Sequence, residues 1–589
     1  MKKNRFYTFF ALSIVLMVVG SCTILEPEND NHSTIDRVYE DPAFAEGLLI
    51  RAYTLIPTND YRFDEVATDD AVSNDKFNSY MRMATGEWSA LYNPQNLWDN
   101  CNQAILYINH FLDVVDDIPW KWTNENLNNA YIRRLKGESY ALRGLFKYFL
   151  ARNHGGMGSD GNLLGAPIYN EFLDSEEDFY TPRAPFDQFV QSAMEDLDLS
   201  RTFLPMDYGN AGSLSELPPD FSEIIDVSHY NDVFGDFSQQ RMSGRHALAI
   251  KSRLALLAAS PAFNPEGNVD RWAEAANLAA SLLDDIGGIA GLDEKGHVFY
   301  LKEQVDEADI TGGDKLDLQE ILWRRPIYTN RSREESNFPP SLYGNGRINP
   351  TQNFVDAFPM ANGFPISSEE SGFDPNNPYE NRDPRLDLYV VYHGSKMKGE
   401  TILTGVDDGI NGVDAVQNST RTGYYLKKLL REDVNANPSS PSNQKHFNTH
   451  IRYTEIFLNY AEAANEAWGP QNGGGNAYSA KEVIMAIRKR AGIEQPDTYL
   501  DQIKSQDEMR QLIRNERRIE LSFEGFRFWD LRRWKSDLTE PARGVQIKDG
   551  TYHYFDVEQR NYNNSYMHYG PIPDKEVIKF DLVQNEGWN

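Results

Sequence analysis

The stretch RRLKGESYALRGLFKYFLARNHGG (133–156) constrains the fold of this chain more than any other. Leu135, Leu142, Leu145 and Phe149 recur at helical spacing and give the helix an apolar face. Gly137, Ala141 and Gly144 mark a second face, where small side chains let a neighbouring helix approach closely. Such a helix has to be packed between partners. Other segments have the same character. Asp41-Pro42 offers an N-cap and a first-turn proline ahead of Phe44, Leu48, Ala52 and Ile56. Trp98, Cys101, Ile105, Ile108 and Leu112 mark a further helix, and more are read at 186–197, 247–259, 272–283, 453–468, 480–491 and 507–534. Paired helices with small residues at their crossings suggest tetratricopeptide-type packing, although the repeat period is irregular.

The N-terminus carries an address. Lys2, Lys3 and Arg5 precede an apolar run at 9–19, and Gly20-Ser21 places small residues before Cys22. Val19-Gly20-Ser21-Cys22 reads as a lipobox. Residues 1–21 are then a signal peptide, Cys22 the lipidated residue, and 22–40 a polar, acidic leash. The apolar run is too short to span a bilayer, and nothing later in the chain is long and apolar enough. Membrane contact is therefore expected through the lipid anchor only, which needs more than one acyl chain to be stable.

Net charge is −30, which argues against nucleic acid, whose phosphates need Lys and Arg partners. With Cys22 acylated, Cys101 is left without a disulfide partner, and its place on an apolar stripe predicts a buried thiol. Residues 41–284 read as the helical part. From 285 the composition shifts to Gly, Pro, Asn and isolated aromatics, so 285–589 reads as a loop-rich and helical second part. Loops this long are candidates for a functional surface.

Few motifs point to chemistry. In ERRIELSFEGFRFWDLRRW (516–534), Glu516, Glu520 and Glu524 are spaced by four, and Arg517, Arg518 and Arg527 lie within reach. Ion pairing explains that pattern without a metal. His446 and His450 lack the glutamate of a zinc-protease motif. Phosphate-cradling, calcium-loop and nucleophile-elbow patterns are missing as well, so neither cofactor nor metal is expected. A glycosidase needs only two well-placed carboxylates, but no stretch combines such a pair with a reason for a perturbed pKa.

The chain resembles the RagB/SusD nutrient-uptake lipoproteins of the Bacteroidetes. The segments that carry the resemblance run nearly end to end: LWDNCNQAILYIN (97–109), 133–156, GRHALAIKSRLALLAASP (244–261), INPTQNFVDAFPMANG (348–363), NRDPRL (381–386) and RYTEIFLNYAEAANEAW (452–468). IRKRAGI (487–493), 516–534, YGPIPDKEV (569–577) and QNEGW (584–588) follow in order. The resemblance implies a mostly α fold, with about four tetratricopeptide-like helix pairs supporting a loop-rich second half. It also implies a surface-exposed protein that binds oligosaccharide or polysaccharide without catalysis, partnered with a TonB-dependent (SusC-like) outer-membrane transporter. The leash resembles the acidic export signal of that group. One departure is the segment after Arg152, NHGGMGSDGNLLGAPI, which is longer than the family's tight turn. Peptide binding, a helical scaffold with only protein partners, and hydrolysis are the competing functions.

Sugar rings stack their C–H faces on aromatic side chains, while their hydroxyls meet Asn, Asp, Arg and backbone groups. Aromatics that lie off helical stripes among polar neighbours are therefore the candidates. One cluster, at 67–94, holds Asp69, Asp70, Trp88, Tyr92 and Asn93. The other, at 323–347, holds Trp323, Tyr328, Tyr343, Asn345 and Arg347. The two segments are expected to converge on one shallow face. Packing within its own loop is the other role open to each ring, and Trp98 and Trp468, which lie on stripes, are assigned to the core.

Overall fold

The computed structural model describes residues 41–58, 63–120, 123–173, 175–308 and 318–588. Cys22, the signal segment and the leash lie outside these residues. Counting only helices of more than ten residues, α1 is Pro42–Thr54, α2 Trp98–Val114, α3 Glu125–His154, α4 Phe186–Phe203 and α5 Gly244–Ala259. Then come α6 Val269–Asp284, α7 Tyr453–Trp468, α8 Ala480–Arg490 and α9 Gln506–Glu520. Each packs on the next, giving the pairs α1–α2, α3–α4 and α5–α6, with α7 against α8 and α9. The fold is mostly α, and its pairing is tetratricopeptide-like. No helix among the described residues is long and apolar enough to cross a membrane.

Local chemistry explains the boundaries. Asp41 caps α1 by accepting from the Ala43 N–H at 3.0 Å, with Pro42 in the first turn. The small residues of α3 do what their spacing predicts. A Cβ on Gly137 would lie 2.5 Å from Leu204 Cγ, and one on Gly144 would lie 2.6 Å from Leu197 Cγ. The same helix pair is tied by Asp196 of α4, which meets Arg143 at 2.5 Å and Lys147 at 2.7 Å. Burial lowers the Lys147 ammonium to about 8, with Asp196 opposing the shift. Cys101 is buried and free, and burial pushes its thiol well up. Trp98 is buried, and Trp468 packs against the same core. The long segment after Arg152 folds as a small hairpin, Gly156–Met157 against Leu163–Leu164.

The loop-rich part is held by short antiparallel pairs. Strands β1 Ala71–Ser73, β2 Ile321–Arg324, β3 Ile348–Pro350 and β4 Thr449–Arg452 pair as β1 with β3 and β2 with β4. A longer hairpin joins β5 Ala542–Lys548 to β6 Thr551–Glu558.

The helix expected over 507–534 is broken. It stops at Glu520 and resumes at Arg527–Arg533, because Phe523 and Gly525 take positive φ angles of 61° and 83°. The glutamates are paired with arginines, but not with the neighbouring ones. Glu516 meets Arg385 and Arg488, each at 2.9 Å. Glu520 meets Arg385 at 3.0 Å and Arg490 at 2.9 Å, and Glu524 meets Arg452 at 2.7 Å and Lys428 at 2.8 Å. Arg517 turns instead to Asp530 at 2.7 Å, while Arg518 and Arg527 reach Asp70 and Asp69. Adjacent residues of a helix point to different faces, so the glutamate row and the arginines beside it serve different neighbours.

Candidate functional site

The pairing of β1 with β3 sets Val72 opposite Asn349 and Ser73 opposite Ile348, which brings the 67–94 and 323–347 segments together. At the end of this pair, Asn74 Nδ2 donates to the Asn345 carbonyl at 2.9 Å and to the Ser419 carbonyl at 3.2 Å. Arg347 donates to Asn74 Oδ1 at 3.1 Å. A third segment joins them. Asn418 donates to Asn345 Oδ1 at 3.1 Å, and the Arg421 guanidinium donates to the Ser73 carbonyl at 2.9 Å. Gly346 is required at this crossing, since φ is +52° and a Cβ would lie 2.5 Å from the Asn418 carbonyl oxygen.

Two rings stand out of this polar junction. Tyr343, at φ +65° after the turn Pro340–Leu342, is 56 % exposed. Phe77, held by an Asp75 turn in which its N–H donates to Oδ1 at 3.0 Å, is 75 % exposed. Tyr92 is half-buried, with the Arg82 guanidinium 4.7 Å from its ring centre. Asn345 and Arg347 are half-buried at the junction itself.

The other expected contacts sit elsewhere. Asp69 and Asp70 are buried against Arg518 and Arg527, with Arg527 bidentate on Asp69 at 2.9 and 2.7 Å. Burial alone would raise the Asp69 carboxyl, but Arg518 and Arg527 hold it well below the usual carboxylate range. Neither acid is open to a sugar hydroxyl. Trp88 is also buried, its ring 4.6 Å from Trp588 and 5.8 Å from Phe528, and its Nε1 donates to Asn93 Oδ1 at 2.9 Å. The Asn93 amide oxygen is thereby taken by Trp88 and by the Gln95 N–H. Trp323 is buried between His246 and His450, at 5.3 and 4.1 Å. Tyr328 donates to Asn448 Oδ1 at 3.3 Å and stacks on His446. Asp69, Asp70, Trp88 and Trp323 are thus framework, because ion pairs and ring packing take up the surfaces a ligand would need. His446 pairs with Glu334 at 3.0 Å while His450 faces Trp323, so the two histidines serve separate neighbours.

Phe77 was not singled out by the sequence, although its surroundings, Asn-Asp-Lys-Phe-Asn, are those of an exposed turn. The 409–421 segment carried no such signal.

Two family models match the chain. Residues 322–588 match the one described as SusD family, and residues 24–214 match the one described as starch-binding associating with outer membrane. Solved structures share the fold. A SusD-like protein of Bacteroides fragilis is 23% identical with a TM-score of 0.68, covering 94% of this chain and 98% of that one. A SusD-like carbohydrate-binding protein of the same species is 19% identical, with a TM-score of 0.64 and coverages of 91% and 98%. A surface glycan-binding protein of Bacteroides fluxus is 17% identical, with a TM-score of 0.56 and coverages of 93% and 100%. No curated protein matches. The chain belongs to the RagB/SusD family.

Proposed function

We propose that this protein captures glycan on the face carrying Tyr343 and Phe77, and hands it to a TonB-dependent transporter of the outer membrane. The observation that carries the reading is two exposed rings beside a junction of Asn74, Asn345, Asn418 and Arg347. Apolar ring faces next to amide and guanidinium groups match the two-sided chemistry of a pyranose. The names of the structural relatives and the outer-membrane description of the family support it. Two carboxylates near this face are engaged, Glu558 by Arg421 and Arg560, and Glu87 by Arg82.

Residues 23–589, screened against a panel of polysaccharides by retardation in polysaccharide-containing gels, should be slowed by at least one. Tyr343→Ala or Phe77→Ala should weaken binding roughly ten- to a hundredfold at unchanged melting temperature. Trp88→Ala should instead destabilise the fold by about 3–5 kcal/mol. Absence of retardation, or full affinity in both ring variants, would overturn the reading. Shortening of a bound glycan would make the protein a hydrolase.

A further inference from the structure

A cavity of about 490 Å³ lies where the helical layer meets the loop-rich part, and it shares none of the residues of the Tyr343 face. Its volume is that of a small-molecule site, and it is large for a packing defect. Tyr148, Phe149 and Arg152 of α3 form one wall, Trp529 and Phe526 another, and Trp323 a third. The lining reaches the surface at the exposed Thr54 and Asn100.

We infer that this cavity binds a small carboxylate carried on a ring, with Arg152 as its anion partner. Four arginines line the cavity. Arg253 is held by Glu455, Arg452 by Glu320 and Glu524, and Arg333 donates to the Leu429 carbonyl and to Asn448. Arg152 differs. Its Nε donates to Asn153 Oδ1 at 2.9 Å, while its two terminal nitrogens meet no acceptor and no carboxylate among the described residues. The guanidinium is fixed by rings, 4.6 Å from Trp529, 5.0 Å from Phe149 and 5.6 Å from Tyr148. Asp64, also in the lining, accepts from Gln95 at 2.7 Å; its charge interacts with that of Arg152, but the two form no direct ion pair.

A planar fork with two free N–H edges is matched by a carboxylate, which takes both at once. The rings around it favour a ligand whose carboxylate sits on a body with an apolar face. In a chain of net charge −30, a guanidinium that no carboxylate pairs directly, held in an aromatic setting, is a feature that such a ligand would complete. Sugar acids and aromatic acids share this chemistry.

The test is calorimetric titration of residues 23–589 with D-glucuronic acid, benzoic acid and, as the neutral control, D-glucose. At least one acid should bind, and glucose should not. Binding of glucuronic acid alone assigns the site to sugar acids, and binding of benzoic acid alone to aromatic acids; binding of both supports the shared carboxylate chemistry. Arg152→Gln should weaken the acid roughly ten- to a hundredfold, and Arg152→Lys by less. Asn100→Trp, which leaves Arg152 untouched and adds bulk where the lining reaches the surface, should abolish binding at unchanged melting temperature, and it carries the test if Arg152→Gln does not fold. The inference is overturned if neither acid binds, if glucose binds as well as glucuronic acid, or if affinity survives both Arg152→Gln and Asn100→Trp.

Discussion

His154 ends α3 with both ring nitrogens committed. The Leu97 N–H donates to Nε2 at 3.2 Å, so Nε2 has to be unprotonated, and Nδ1 lies 2.8 Å from the Pro571 carbonyl as its donor. Burial, reinforced by Arg183, lowers this imidazole to about 4, against the pull of the Pro571 carbonyl. The unfolded chain takes up the proton near pH 6.5, so the folded form loses stability as pH falls from there toward 4. At pH 5 that amounts to about 2 kcal/mol. Measured by chemical denaturation, the loss of stability between pH 7 and pH 5 should be smaller by about that amount in His154→Gln; an equal loss in both proteins would refute the assignment. Roles at this scale were the hardest to read in the sequence. Trp88 and Tyr343 both stand off helical stripes among polar neighbours, yet one is buried against Trp588 and the other projects into solvent. The difference is made by the C-terminal Trp588 and by Phe528, and distant ring partners leave no mark in the local pattern.

At the scale of elements, local pattern served better. The helices follow from apolar spacing and caps, and the close contact of α3 with α4 follows from Gly137 and Gly144. The acidic row on α9 was legible as an ion-pair row, but its partners were not, because Arg385 and Arg490 arrive from separate segments. Glu520 is fully buried; although burial opposes it, Arg490 and Arg385 hold its carboxyl far below the usual range. Removing it takes the nearest counter-charge from Arg490 and one of three from Arg385, which keeps Asp383 and Glu516, and truncating a buried pair costs about 3–5 kcal/mol. Glu520→Ala should therefore lower the melting temperature markedly, and Glu520→Gln, which keeps the shape but not the charge, should also lower it. Chelator should change neither melt. A melt that drops on chelation would mean that a metal, not arginine, satisfies the row.

At the scale of the molecule, the helix pairs and the junction beside Tyr343 are joined by strands too short to announce themselves. β1 and β3 are three residues each and sit far apart in the chain, so their pairing needed the fold. The charge balance points the same way at every scale. A net charge of −30 is repelled by anionic membrane surfaces, so the proposed place beside a transporter would call for a covalent anchor. The lipobox supplies the candidate residue, Cys22, with the acidic stretch after it as the leash. Acyl chains bury methylene groups at about 0.8 kcal/mol each, and two chains hold a protein where one barely does. Cys22→Ala removes the acceptor for all of them. In cells lacking the partner transporter, the variant should move from the membrane fraction to the soluble fraction with the melting temperature of its folded body unchanged. Retention in the membrane fraction would show that something other than acylation anchors it, and the first place to look would then be the exposed apolar residues Leu91 and Ile225.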